Sequence, residues 1–275
     1  MRVFRAAGGA FLLLAALAGC GEKITAAGLD FAAYGDCRHR RAIHQELCRS
    51  MAAASPKYVL VTGDLVDYAD RAEQWTEWKA DTEALRAKVR YHCAAGNHDL
   101  GEGNLFQKTL GIERLYFDVR EGDTHIFILD SNGNFADPRQ LEWFEQTAAA
   151  STALHKFAVF HHPPFMLSPK RNAEIAPVRE AIHPLLVKHK FCAAFCGHQH
   201  AFYTTVRDGI RYVVTAGGGA PLWDLDRSLG MPSDLTRKFF HFVGFKVTGK
   251  TIRGHVYEKD GVEDPDLRFT LCSHP

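Results

Sequence analysis

Short apolar runs alternate with stretches of helical periodicity from residue 31 onward. Residues 31–34, 58–62, 125–129, 156–160, 191–195 and 211–215 are largely apolar, the pattern of strands buried on both faces, and 89–94 is a weaker run of the same kind. Between them Trp75, Trp78, Thr82, Leu85 and Val89 recur every three or four residues, which predicts a helix with one buried face. Pro138 precedes a second such stretch carrying Leu141, Phe144 and Ala148, with the proline near the first helical turn. Ile175, Val178, Ile182, Leu185 and Leu186 predict a third, broken or kinked near Pro184. A further helix follows the first strand and carries His44. Beyond Lys238 the pattern is strands alone, at 241–247 and 251–257. Alternation of strand and helix predicts a layered α/β domain.

Residues 6–18 break this pattern. They are Ala, Gly, Phe and Leu only, behind Arg2 and Arg5, and at 13 residues are too short for the ~20 that span a bilayer. This is the layout of a secretory leader. Its end, Leu17-Ala18-Gly19-Cys20, resembles a bacterial lipobox, which is cleaved before a cysteine that is then lipidated. The expected organisation is a lipoprotein signal peptide at 1–19, a tether at 20–29 and one domain at 30–275, exported, facing the periplasm and held on a membrane through lipid on Cys20. The other reading is a plain signal peptide that happens to contain Cys20.

Composition narrows the class. With 46% hydrophobic and 24% charged residues the chain has material for a large core, which excludes disorder, collagen and coiled coil as overall descriptions. Its 33 basic and 32 acidic residues give a formal charge of +1, so no general field attracts nucleic acid, and no specific nucleic-acid binding is expected. Cys37, Cys48, Cys93, Cys192, Cys196 and Cys272 remain beyond Cys20, and an exported protein can oxidise such residues. Sequence does not set their connectivity. Only Cys192–Cys196 is excluded, because two positions four residues apart in a strand lie about 13 Å from each other. Cys93, Cys192 and Cys196 read as buried free thiols.

The chemistry lies just after the strands. The first ends in Gly35-Asp36, the second in Gly63-Asp64-Leu65-Val66-Asp67 and the third in Gly96-Asn97-His98-Asp99. Later ones end in His161-His162-Pro163-Pro164 and Gly197-His198-Gln199-His200. Ligands of open α/β sheets gather beyond the carboxyl ends of strands. Each motif alone has an ordinary reading, as a turn, a helix cap or a rigid loop. Together they supply carboxylate, amide and imidazole donors, a mixture suited to Fe, Zn, Mn or Co rather than to a thiolate site.

This set resembles the calcineurin-like metallophosphoesterase superfamily, of which purple acid phosphatases are a branch. The likeness runs from about residue 30 to 260 and includes Leu129-Asp130-Ser131, Gln140-Leu141-x-Trp143, Ala201-Phe202-Tyr203 and the run from Thr215 to Pro221. It implies a four-layer α/β/β/α sandwich with two mixed sheets. It also implies hydrolysis of a small phosphate mono- or diester by a hydroxide bridging two divalent or mixed-valence transition metal ions. Asp64 bridges the two ions in this reading; Asp36 and His200 complete the first site, and Asn97, His161 and His198 the second. His98 acts on the leaving group and Asp99 fixes its tautomer. His162, pointing opposite to its neighbour, is expected behind the ligands.

One position departs from the family. Many members carry Asp-x-His at the first motif, and here Arg38 stands where the histidine would. Arginine does not deprotonate and cannot ligate a metal. Either the first site is ligand-poor, or His39, Cys37 or Tyr68 completes it. Arg38 itself either grips a phosphate oxygen or pairs with an acid such as Asp67. The alternative to an enzyme is a lipid-anchored protein that binds phosphate or metal without turnover. The substrate, the metals and the oligomeric state are not set by the sequence.

Overall fold

A computed structural model describes residues 25–274, so the leader at 1–19, Cys20 and the first half of the tether lie outside the described residues. The rest of the expected tether is docked: Thr25 bridges to Val262, the Ala26 N–H donates to the Gly261 carbonyl at 2.8 Å, and Leu29 is buried.

The chain runs β1 (Phe31–Tyr34), α1 (Arg41–Ala54), β2 (Tyr58–Val61), α2 (Ala72–Arg86), β3 (Arg90–Cys93), α3 (Leu105–Leu110), β4 (Phe117–Glu121), β5 (Thr124–Ile128) and α4 (Pro138–Ala149). It continues through β6 (His155–Val159), α5 (Asn172–Lys188), β7 (Ala193–Cys196), β8 (Phe202–Arg207), β9 (Ile210–Thr215), β10 (Leu235–Arg237), β11 (His241–Thr248), β12 (Thr251–Glu258) and β13 (Glu263–Ser273).

Two sheets form, in the orders β13-β12-β11-β1-β2-β3 and β10-β8-β9-β7-β6-β5-β4. Both are mixed: β1, β2 and β3 are parallel and β11 to β13 antiparallel, while β5, β6, β7 and β9 are parallel and β4, β8 and β10 antiparallel. Side-chain alternation explains the layers. Phe31, Ala33 and Leu60 point into a core shared with Phe157, Val159, Phe195 and Val213 of the second sheet. The Phe31 ring stacks 4.4 Å from Phe245 and 5.0 Å from Tyr58. Tyr34, Val59 and Val61 point the other way, against Leu47, Met51, Trp75, Trp78 and Leu85 of α1 and α2. On the far side Phe127, Ala158 and Ala194 pack on Phe144 of α4 and Val178, Ile182 and Leu186 of α5. The result is the four-layer α/β/β/α sandwich.

Two features differ from the sequence reading. The helix expected to be broken or kinked near Pro184 is not broken there: it runs from Asn172 to Lys188 with Pro177 and Pro184 inside it. Strands β4, β8, β10 and β13 add to the predicted set; β4 and β10 are partly exposed edges without a continuous apolar run, and β13 buries alternate residues Leu267, Phe269 and Leu271. The six cysteines among the described residues are free, as read for Cys93, Cys192 and Cys196.

Candidate metal centre

The loops after β1, β2, β3, β6 and β7 converge at one end of the sandwich. Asp36 and Asp64 both have φ 55° and His198 has φ 66°. Asp and His are among the few non-glycine residue types that tolerate this left-handed region. Gly63 is at φ +95° beside them, where a Cβ would lie 2.6 Å from the Gly96 nitrogen and 2.9 Å from His161 Nδ1. Only a glycine lets the β2 and β3 loops approach so closely.

Four donor atoms meet in the first group. His161 Nε2 lies 3.1 Å from Asn97 Oδ1, 3.3 Å from His198 Nδ1 and 3.4 Å from Asp64 Oδ1, and His198 Nδ1 lies 3.2 Å from Asn97 Oδ1. A tetrahedron of N and O ligands at ~2.0–2.1 Å from a metal has edges of about 3.3 Å. The tautomers agree with ligation. His161 Nδ1–H donates to the Thr62 carbonyl at 2.8 Å, which leaves Nε2 with a lone pair facing the other donors. Electron-rich atoms so close together fit a bound cation.

The second group is Asp36, Asp64 and His200. His200 Nδ1–H donates to the Pro221 carbonyl at 2.7 Å, and its Nε2 faces Asp36 Oδ1 at 3.2 Å. The Asp64 carboxylate thus belongs to both groups. Its outer oxygen is already engaged: Arg38 Nε–H donates to Asp64 Oδ2 at 3.1 Å, and Nη1–H to Asp67 Oδ1 at 3.0 Å. Of the two roles open to Arg38 in the sequence, the ion pair is the one the structure contains, extended to Asp64. The three residues weighed as a missing ligand stand elsewhere. The Cys37 thiol is buried against the carbonyls of Asp64 and Leu65, and burial pushes it well above its usual range. His39 is 3.7 Å from Asp67 Oδ1, and Tyr68 is exposed beneath the Arg71 guanidinium.

Asp99 corrects a second expectation. It does not touch the His98 ring. Its carboxylate accepts from the N–H groups of Asp64 and Gly96 at 2.8 Å, of Leu65 at 2.7 Å and of Val66 at 3.3 Å, bracing the β2 loop against the β3 loop. The His98 tautomer is set instead by Nδ1–H donating to the Asp67 carbonyl at 2.8 Å. His98 holds the shared carboxylate as well, its backbone N–H donating to Asp64 Oδ1 at 3.0 Å.

Burial lowers the His161 imidazole, but the carboxylates of Asp64 and Asp36 outweigh it and hold it above the usual range, so a proton on Nε2 competes with a cation for this group. Burial raises the Asp64 carboxyl, but the charges of His161, His98 and Arg38 outweigh it and hold it below the usual range. Burial, and after it the charge of Asp64, pushes Asp99 up to about 7. Burial and the charge of His161 drive His198 far down and His162 down to about 3, so both rings are neutral at physiological pH. His162 is held by Ser131, whose hydroxyl lies 2.9 Å from both its Nδ1 and its backbone nitrogen. Gln140 fixes that loop through paired bonds of 2.7 and 2.8 Å to the Asp130 backbone.

A cleft of about 420 Å³ opens over the groups, lined by Arg38, His39, Asp67, Tyr68, His98, Arg171, His200, Pro221 and Trp223. Arg171 and Trp223 were not found in the sequence, since neither follows a strand. Arg171 Nη1 lies 3.2 Å from His198 Nε2 and its guanidinium 4.7 Å from the Trp223 ring centre, and Trp223 packs 4.6 Å from His200.

The family profile of calcineurin-like phosphoesterases matches residues 30–202. Among curated proteins none matches the sequence. The fold is similar to a purple acid phosphatase from yellow lupin (Lupinus luteus) seeds, with TM-score 0.74 and 18% identity over 87% of this chain and 53% of that one. The chain therefore spans about half the length of the lupin enzyme. It is also similar to GAP50, the anchor in the inner membrane complex of Plasmodium, with TM-score 0.71 and 10% identity over 89% of each chain. A dimetal phosphatase from Danio rerio matches with TM-score 0.57 and 11% identity over 90% of this chain and 100% of that one.

Proposed function

The chain belongs to the calcineurin-like phosphoesterase family, and from that premise we propose that it is a metal-dependent phosphoric ester hydrolase that cleaves a small phosphate mono- or diester using two transition metal ions. The observation that carries this reading is the four-donor group of Asp64, Asn97, His161 and His198 beside the three-donor group of Asp36, Asp64 and His200. Bound there, the cations supply charge neutralisation at phosphoryl oxygens and activation of water. The protein does the rest. Thr62 and Pro221 carbonyls hold His161 and His200 in the ligating tautomer. With His198 Nδ1 committed to the donor group, Nε2 carries the ring proton and cannot also accept from Arg171. That guanidinium is then available for a phosphate oxygen in the cleft.

His98 is the proton donor in this reading. Its Nδ1 is tied to Asp67, so proton exchange with a substrate in the cleft falls to Nε2. General acid catalysis is typically worth ~100- to 10,000-fold. His98→Ala should lose that much on alkyl esters, lose little on nitrophenyl esters and keep its metals. Equal losses across leaving groups, read from kcat on paired substrates, remove His98 as the acid.

A single-metal centre is a second reading, favoured by one observation. The Arg38 guanidinium rests on Asp64 Oδ2, where it supplies positive charge in place of a cation. Metal titration followed by mass spectrometry of the intact protein separates the two. Two classes of bound ion, with turnover tracking the weaker, support the dinuclear reading; saturation at one ion with full turnover supports the other. Bound metal without hydrolysis of any phosphoester overturns both and leaves a binding protein.

For location, we propose anchoring through lipid on Cys20. Among the described residues no helix is long and apolar enough to cross a membrane. Cys20→Ser should therefore shift the protein out of the detergent phase, since acyl chains supply the membrane affinity. Unchanged partition defeats the proposal.

A further inference from the structure

A second cluster of metal-ligating side chains lies at the opposite end of the molecule. His155 opens β6 and Cys192 immediately precedes β7, whereas His161 and His198 follow the other ends of these strands. At ~3.3 Å per residue this places the two sites about 20 Å apart. Strand β13 belongs to the other sheet, yet its last turn of chain brings Cys272 and then His274 against His155 and Cys192.

The four donor atoms all lie within 4.8 Å of one another. His155 Nδ1 and His274 Nε2 are 3.1 Å apart; Cys192 Sγ is 3.2 Å from His274 Nε2 and 3.9 Å from His155 Nδ1; Cys272 Sγ is 3.4 Å from His155 Nδ1. A tetrahedral zinc ion with Zn–S near 2.3 Å and Zn–N near 2.0–2.1 Å has edges of about 3.3 Å between nitrogens, 3.6 Å between nitrogen and sulfur and 3.8 Å between sulfurs. The observed separations scatter around those edges. His155 is 3% exposed and Cys192 6%, so water does not readily serve their polar atoms.

We propose that His155, Cys192, Cys272 and His274 bind a structural zinc ion. Two thiolates and two imidazoles are a zinc set, softer than the oxygen-containing donors of the catalytic groups. All four positions come from protein, so no open site is left for substrate, as in structural rather than catalytic zinc centres. The ion ties the edge strand of the first sheet to the middle of the second, closing the sandwich at the end away from the cleft. It also gives a role to Cys192 beyond that of a buried free thiol. The rival pairing is a Cys192–Cys272 disulfide, which uses the sulfurs and leaves the two imidazoles facing each other.

Cobalt distinguishes these cases, because thiolate ligation gives a sulfur-to-metal charge-transfer band in the near ultraviolet and the catalytic groups contain no sulfur. The full chain, purified under reducing conditions and loaded with cobalt, should show that band together with intense tetrahedral visible absorption. The band should persist in Asp64→Asn. In Cys272→Ser it should vanish, with about one metal equivalent lost and a lower melting temperature, while hydrolysis of a nitrophenyl ester at permissive temperature continues. If Cys272→Ser does not fold, the spectrum of the unaltered chain decides alone. Absence of the charge-transfer band there overturns the proposal. So does peptide mapping of unreduced protein, purified without added metal, that finds Cys192 and Cys272 joined.

Discussion

Asp64→Asn is expected to lose at least one metal equivalent and to lower turnover by ~1,000-fold or more, the scale of removing a principal electrostatic element from a preorganised site. The substitution keeps size and shape. Asparagine tolerates the left-handed backbone that Asp64 adopts at φ 55°, and the backbone N–H can still donate to Asp99. What changes is charge. One carboxylate oxygen faces the Asn97, His161 and His198 donors and accepts the His98 N–H, while the other accepts from Arg38. An amide cannot serve both sides. If its NH₂ faces the donor group it repels a cation and loses the His98 contact; if it faces outward it meets the guanidinium. Circular dichroism should be unchanged, while metal content and kcat fall together. Full occupancy with full turnover would show that Asp64 is not a shared ligand.

Arg38→His should act in the opposite direction. At 13% side-chain exposure the guanidinium is held by Asp64 and Asp67, and it puts a positive charge beside the three-donor group. The variant removes that charge and offers a neutral nitrogen two residues after Asp36. The weaker ion should bind at least ~10-fold tighter, a difference of about 1.4 kcal/mol, and at limiting metal the turnover should rise. Arg38→Ala removes the charge without adding a ligand, so its gain in affinity should be smaller. The measurement is a metal titration of all three proteins with kcat and KM at each stoichiometry. If both variants keep the parent's metal affinity and raise KM more than they lower kcat, most of all for monoesters, then Arg38 acts on the substrate. If Arg38→Ala sheds metal, the guanidinium instead orders the loop that presents Asp36.

The two variants also test the site as a unit. Asp64 and Arg38 share a hydrogen bond, so their effects should not add.

The local sequence determined which segments form the inner strands and where the chemistry sits. Strands buried on both faces leave continuous apolar runs, as at 58–62 and 156–160, and five of the strands end at a glycine or histidine motif whose ligands must point past the sheet edge. Those features are readable because they depend on neighbouring residues alone. The partly exposed edge strands β4 and β10 carry weaker patterns, and α5 runs through Pro184 because its apolar face, Val178 to Leu186, is held by the second sheet. The side-chain partners depended on the tertiary structure altogether. Asp99 adjoins His98 in sequence, yet its carboxylate turns back to four N–H groups of two loops, and the tautomer of His98 is set by a carbonyl 31 residues away. Arg171 reaches the cleft from a 3₁₀ turn ahead of α5 and Trp223 from a loop, and no strand end marks either. Cys192 and Cys272 are 80 positions apart, one just before β7 of the second sheet and one in β13 of the first, so only the packing of one sheet on the other brings them and two histidines together.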